Sequence, residues 1–291
     1  MPTYSNAYEI LKKVRYGLSE YSDPIQTGMQ GATTHPNELL MDEINSAQLY
    51  LYSLALNRSP GYFIGKAEIV GVDSEYALPN DYGGLIVFLD DRLRKVERVR
   101  QDNLTRSTSG GGSKRLYYHK GSNLVLDKSG VTDTYTLWYR KKPRNIHAGR
   151  NSTAGTAEIT LDERFAARID DYYNGMIIEN VNENIFDQIS DYVGTTRVAT
   201  ITNNSSKADF YGLVSDLPEV FHHLIAKKAL LNIRTTSALV KSRATKADMD
   251  LFNDELVTTF QAWSDGQEDV DIETVFSDFA PAARSWGIVA E

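Results

Sequence analysis

The residue types that can do chemistry are present in this chain, and their spacing decides between catalysis and structure. Carboxylates occur in close pairs: Asp90 with Asp91, Asp170 with Asp171, and Asp187 with Asp191. Two carboxylates about 5–10 Å apart can cleave a glycosidic bond. All three pairs fall in predicted turns or on strand surfaces, where Asp serves local turn hydrogen bonds. His222 and His223 are neighbours in a predicted helix. They sit about 100° apart around its axis, so they do not easily share a metal ion, and the i, i+4 spacing of zinc proteases is absent. One of the two facing a neighbouring subunit is an equal alternative.

Gly110-Gly111-Gly112-Ser113-Lys114 has the composition of a phosphate loop. Its first Gly is missing at the required spacing, Arg115 stands where Ser or Thr would hold magnesium, and a strand follows instead of a helix. Asp269-Val270-Asp271-Ile272-Glu273 alternates like a calcium loop but lacks the Gly at the sixth position. It reads as a solvated acidic tail. There is no Gly-x-Ser-x-Gly elbow. The chain has no cysteine, which removes disulfides, thiolate nucleophiles, iron–sulfur clusters and thiolate zinc sites together. No residue is assigned as catalytic, cofactor-binding or metal-binding, and no cofactor is called for.

The elements that must hold these residues change character along the chain. Ser5 is placed to cap a helix carrying Ile10, Leu11, Val14 and Leu18. A turn-rich stretch, Tyr21 to His35, leads to a second helix start at Thr34 and Pro36. Leu40, Ile44, Ala47, Leu51, Leu54 and Ala55 then recur at three- and four-residue steps, and Ser59-Pro60-Gly61 ends that helix. Short β-rich runs follow: 63–72, 85–89, 95–99, 115–119, 124–126 and 135–139. Lys120-Gly121-Ser122-Asn123 is a hairpin turn between two of them. Residues 107–113 form a Ser/Gly-rich loop. A second β segment predicts strands at 157–161, 176–180, 187–192 and 197–202. Helix returns at Leu217-Pro218-Glu219, with Asp216 as its cap. A last helix from Thr245 or Lys246 carries Met249, Phe252, Leu256, Phe260 and Trp263.

Terminal helices flanking a β region each have an apolar face to bury. The expected fold class is therefore α+β: a helical bundle from the N- and C-terminal helices, a central inserted antiparallel β region (sheet or small barrel), and an extended C-terminal tail. The expected parts are 1–61 (N-terminal helices), 62–150 (β domain), 151–215 (second β module), 216–264 (C-terminal helices) and 265–291 (acidic tail).

Composition adds a charge asymmetry. The net charge of −8 hides 15 Lys/Arg against 4 Asp/Glu between Arg92 and Arg150, and 7 Asp/Glu against one Arg between Asp265 and Glu291. A basic middle and an acidic tail suggest subunits that meet charge to charge, or a basic face near nucleic acid. No window approaches 18 consecutive apolar residues, and Met1-Pro2-Thr3-Tyr4-Ser5-Asn6 has no signal-peptide pattern. The expectation is assembly in the cytoplasm without a membrane partner.

Two stretches resemble tailed-bacteriophage structural proteins. Asp171-Tyr172-Tyr173-Asn174-Gly175-Met176-Ile177-Ile178, followed by Ile189-Ser190-Asp191-Tyr192-Val193-Gly194-Thr195-Thr196-Arg197-Val198-Ala199-Thr200, resembles a small β module of virion proteins. Asn182-Glu183-Asn184 stands where that module usually has a Gly-rich segment. Tyr76-Ala77-Leu78-Pro79-Asn80-Asp81, with Tyr139-Arg140-Lys141-Lys142-Pro143 further on, is similar to the sequences that bracket the β domain of podovirus-type head-to-tail adaptors. The two stretches together span about half the chain.

The resemblance implies a non-enzymatic subunit of a ring, twelve-fold on the portal protein, that offers a platform to the tail nozzle, tube or fibre proteins. Double-stranded DNA would pass through its centre without sequence-specific binding. On this view Phe276, Phe279 and Trp286 of the acidic tail are the expected portal anchors, because aromatic side chains in an extended segment supply affinity. Another tail or fibre-attachment protein is the alternative, and a glycan-hydrolysing enzyme the remote one.

Overall fold

The computed structural model describes residues 5–20, 35–71, 75–100, 116–126, 133–151, 157–202, 210–237 and 243–265. These form two compact units. One is built from residues 59–142. The other combines 5–58 with 143–265, so the first unit is an insertion in the chain of the second.

Among the described residues, the inserted unit is β apart from a short 3₁₀ turn, Pro60–Phe63, and its connecting turns. Strands β1 (Ile64–Gly71) and β3 (Tyr82–Leu89) flank β7 (Asp133–Lys141) in an antiparallel sheet. A second sheet has the order β2 (Glu75–Ala77), β6 (Asn123–Leu126), β5 (Leu116–Lys120), β4 (Glu97–Arg98). Gly121 takes φ +60° in the two-residue hairpin between β5 and β6, where only glycine is unstrained. The pairing of β4 with β5 is parallel, a departure from the expected antiparallel region. Alternate residues of each strand face a shared core: Ile69, Phe88, Tyr117, Leu124, Leu126, Tyr135, Leu137 and Tyr139. Phe88 sits at 5.4 Å from both Tyr117 and Tyr135, stacked on one and edge-on to the other.

The other unit holds four α-helices among the described residues: α1 (Ala7–Gly17), α2 (Asn37–Arg58), α3 (His222–Thr236) and α4 (Lys246–Asp265). It also holds two sheets. One has the order β11 (Ile185–Gln188), β10 (Ile177–Asn180), β14 (Phe210–Leu213), β8 (Ala148–Arg150). The other has the order β12 (Asp191–Val193), β13 (Val198–Thr200), β9 (Glu158–Thr160).

The expected helical bundle carrying an inserted β region is therefore incorrect. The molecule is mixed α+β, with four helices and four separate sheets of three or four strands among the described residues. The physical reason is that the helices do not bury their apolar faces on one another alone. Helix α1 packs on β14 and β8 as well as on α2 and α3. Tyr8 of α1 stacks on Phe210 of β14 at 6.3 Å, and Asn6 bridges to Val214. Two of the four sheets thus share a unit with every helix.

Local chemistry explains the element ends. Asn6, not Ser5, caps α1: its Oδ1 accepts from the Glu9 N–H at 2.9 Å. Thr245 and Asp248 form a reciprocal box at the start of α4, each accepting from the other's backbone N–H. Asp216 caps no helix. A 3₁₀ turn, Glu219–Phe221, precedes α3, and Asp216 is committed elsewhere. The expected strand at 187–192 is two strands. At Ile189-Ser190 the chain leaves one sheet for the other: Ile189 N–H donates to Met176, then Ser190 N–H donates to Thr200. No helix is long and apolar enough to cross a membrane among the described residues.

Candidate interaction surface

Two of the three carboxylate pairs are spent on turns, and Asp187 and Asp191 lie on strands. Asp90 is buried and accepts from the N–H groups of Arg92 and Arg94 and from the Arg94 guanidinium. Those bonds outweigh burial and hold its carboxyl below the usual range. Asp170 accepts from the Gly194 N–H at 2.8 Å. Asp171 sits at φ +61° and accepts from Asn174. Asp187 takes the N–H of its neighbour Gln188, and Asp191 is exposed on β12. The histidine pair splits between two environments. His222 is buried and contacts the Leu217 carbonyl at 2.9 Å, and burial lowers its pKa. His223 lies at the surface against Glu255 of its own chain. No three His, Asp or Glu among the described residues form a metal-binding group. The Gly110–Lys114 loop, the Asp269–Glu273 run and the anchors Phe276, Phe279 and Trp286 lie outside the described residues.

The small β module is a set of turns locked from within. Tyr173, Tyr192 and Tyr211 are fully buried: Tyr173 and Tyr211 meet His147 edge-on, Phe165 stacks on it, and Tyr192 packs edge-on against Tyr173. Each phenol has a backbone partner. Tyr173 accepts from the Ala167 N–H, Tyr192 donates to the Ala167 carbonyl, and Tyr211 accepts from the Asp162 N–H. Burial pushes the Tyr192 phenol up to about 12 and the Tyr173 and Tyr211 phenols up as well. It drives His147 down to about 4, so this imidazole is neutral at pH 7. The Tyr211 hydroxyl lies 3.2 Å from His147 Nδ1. Gly194 is required because a Cβ there would lie 2.6 Å from the Arg168 and Ile169 backbone.

Arg144 was invisible to periodicity yet holds this region together. Its guanidinium takes both Asp216 oxygens at 2.9 and 3.0 Å and the Asn174 carbonyl at 2.6 Å. The irregular segment around it borrows backbone partners from α2. Asn45 pairs with both N–H and C=O of Ile146, and Gln48 donates to the Arg144 carbonyl. A buried non-strand segment needs such partners.

In the inserted unit, two stretches distant in sequence meet at Asp81. The Tyr139 hydroxyl donates to its carboxylate at 2.9 Å, and the Lys142 N–H donates to its carbonyl at 2.7 Å. Lys141 pairs with Tyr82 across the sheet, and Arg140 with Gly84. The Tyr82 ring is 6.1 Å from His119 and 5.8 Å from Tyr139. Arg98 pairs with Tyr117, and its charge acts on Tyr82, Tyr117 and His119. Burial first, and Arg98 second, lower the His119 pKa. The Val99 N–H donates to Tyr117, so the parallel run carries Arg100 toward the His119 end.

Among the described residues, one end of this unit therefore gathers Arg98, Arg100, Lys120, Arg140, Lys141 and Lys142, all exposed, against Glu75, Asp81 and Glu97. Lys120 is neutralised by Glu75 at 2.9 Å. Arg98, Arg100, Arg140 and Lys142 make no ion pair among the described residues. At the far end of β3 the cations Arg92, Arg94 and Lys95 meet Asp90 and Asp91, so little excess charge remains there. The fold thus concentrates part of the basic window at one rim. Arg144 and Arg150 belong to the other unit, and Arg106, Lys114, Arg115 and Lys128 lie outside the described residues.

Compared with protein-family models and with curated proteins, the chain matches none of either.

Proposed function

We propose that this chain is a structural subunit of a tailed-bacteriophage particle, a head-to-tail adaptor that forms a ring between the portal and the tail. The observation that carries the reading is the junction at Asp81. The two stretches that resemble the brackets of an adaptor β domain are 58 residues apart at Asp81 and Tyr139, yet they share a hydrogen bond. They act as one motif in space, which favours the resemblance over two chance similarities. The residues of the small β module support the same view. Its tyrosines, Asp170 and Gly194 fix backbone turns, which suits a load-bearing part.

The acidic tail, with Phe276, Phe279 and Trp286, is the portal-binding element in this reading. The test is the particle mass of the purified chain, alone and mixed with its portal, followed by class averages of the complex. A twelve-fold ring on the portal is the expected result, lost on deleting residues 265–291. Failure to bind portal, with three- or six-fold assembly on another virion component, would replace the adaptor with a distal tail or fibre-attachment protein.

A further inference from the structure

Among the described residues, the cations at this rim of the inserted unit outnumber the carboxylates beside them, Glu75, Asp81 and Glu97. Four exposed cations with no ion pair among the described residues repel one another at one end of a small β unit, and such an arrangement is stabilised by an opposite charge brought from elsewhere. The same chain carries that charge. From Asp265 to Glu273 there are five carboxylates in nine residues and no cation. Tyr82 and His119 stand among the cations, half-buried, and give the rim an apolar footing beside its charges.

We propose that this rim receives the acidic segment Asp265–Glu273 of a second copy of the chain. The inference rests on the ring reading. A ring is closed by heterologous contacts, in which one surface of a subunit meets a different surface of the next. Opposite charges on two different parts of one chain are the simplest such pair, and they also suppress the like-with-like contact. Nucleic acid is the competing polyanion, and the acidic segment of each added subunit would compete with it for the same cations.

The experiment uses the full chain, prepared with natural and with ¹⁵N nitrogen, mixed in equal amounts and treated with a carbodiimide that joins a carboxylate directly to a lysine amine. Cross-linked peptides joining Lys120, Lys141 or Lys142 to the 268–273 carboxylates, half of them isotope hybrids, are the expected result. Two reversed variants accompany it: Arg98→Glu, Arg100→Glu, Lys142→Glu on the rim, and Asp269→Lys, Asp271→Lys, Glu273→Lys on the tail. Each alone loses self-association about tenfold or more, the sum of three exposed charge pairs. Their equimolar mixture regains it, because both contacts of an alternating ring are then complementary.

Cross-links confined to same-isotope pairs would overturn the proposal in favour of docking within one chain. Absence of these cross-links would overturn it outright. So would protection of the rim lysines by a DNA duplex in a chain whose association ignores the tail reversal. A wild-type chain that gives hybrid cross-links but binds no portal keeps the contact and removes the adaptor reading. One that binds portal without them does the opposite.

Discussion

Lowering the pH from 7 to 5 should destabilise the unit that holds His147 by about 2 kcal/mol. His147 is fully buried between Phe165, Tyr173 and Tyr211, and burial lowers its pKa from 6.5 to about 4. Asp162 is the one charge acting on it from its surroundings, and it only partly opposes the shift. The unfolded chain takes up a proton on this residue as pH falls through 6.5. The folded protein does not until about 4. The unfolded state therefore binds more protons across that window, and stability falls with falling pH. The drop from 6.5 to about 4 corresponds to about 3 kcal/mol in full, and about 2 kcal/mol of it is lost between pH 7 and 5.

The assay is urea unfolding followed through Trp263, in a chain where Trp138→Phe and Trp286→Phe silence the other indoles. His147→Asn keeps an acceptor near the Tyr211 hydroxyl and removes the titration. Its stability at pH 7 is lower, but its pH dependence should be flatter by about 2 kcal/mol between pH 7 and 5. Parallel curves for the two proteins would refute the argument, and so would an imidazole that titrates near 6.5 by NMR in the native state.

Gly194→Ala should cost about 3 kcal/mol, because its Cβ meets backbone atoms that cannot yield, and thermal unfolding would show it. Arg144→Ala should cost about 2 kcal/mol in the same assay by stranding Asp216 and the Asn174 carbonyl, with Arg144→Lys recovering only a part of the loss. Burial raises the Glu179 carboxyl despite the Asn6 amide beside it, so Glu179→Gln should stabilise the fold at pH 7. That gain should shrink as pH falls through the raised folded pKa, where Glu179 itself becomes neutral.

Much of the local structure was legible because period and burial agree. The apolar residues of α4, Phe252, Leu256, Phe260 and Trp263, are its buried face. The hairpin at Gly121 and the end of α2 at Arg58 fall where turn chemistry places them. Sheet membership was not legible. Residues 187–192 carry no Gly or Pro to separate two strands, and only the long-range partners Met176 and Thr200 reveal two. Strands β8 and β14 are three and four residues long and contain Gly149 and Gly212, so neither offers a period to detect.

The bundle was a misreading of what an apolar helix face meets: the ring of Phe210 on α1 has no signature in α1 itself. The candidate surface was half legible. Charge counting found the excess of Lys and Arg, but only register shows that Arg98, Arg140 and Lys142 share one end of the inserted unit. The Asp81 junction and the acceptors of Arg144 are contacts across 58 and 72 residues, beyond any local pattern.

The insertion of residues 59–142 also sets a timetable on the ribosome. Helices α1 and α2 leave the exit tunnel 84 residues before Pro143, the first residue that resumes their unit. At 5–20 residues per second, that wait is roughly 4–17 s. The inserted unit can close its core only at the end of that wait, since its first and last long strands, β1 and β7, pair with each other. During the same interval Leu40, Ile44, Leu51 and the groove at Gly17, later filled by Leu230, stay uncovered on the nascent chain. The N-terminal helices are thus the segment for which a chaperone at the tunnel mouth would matter most.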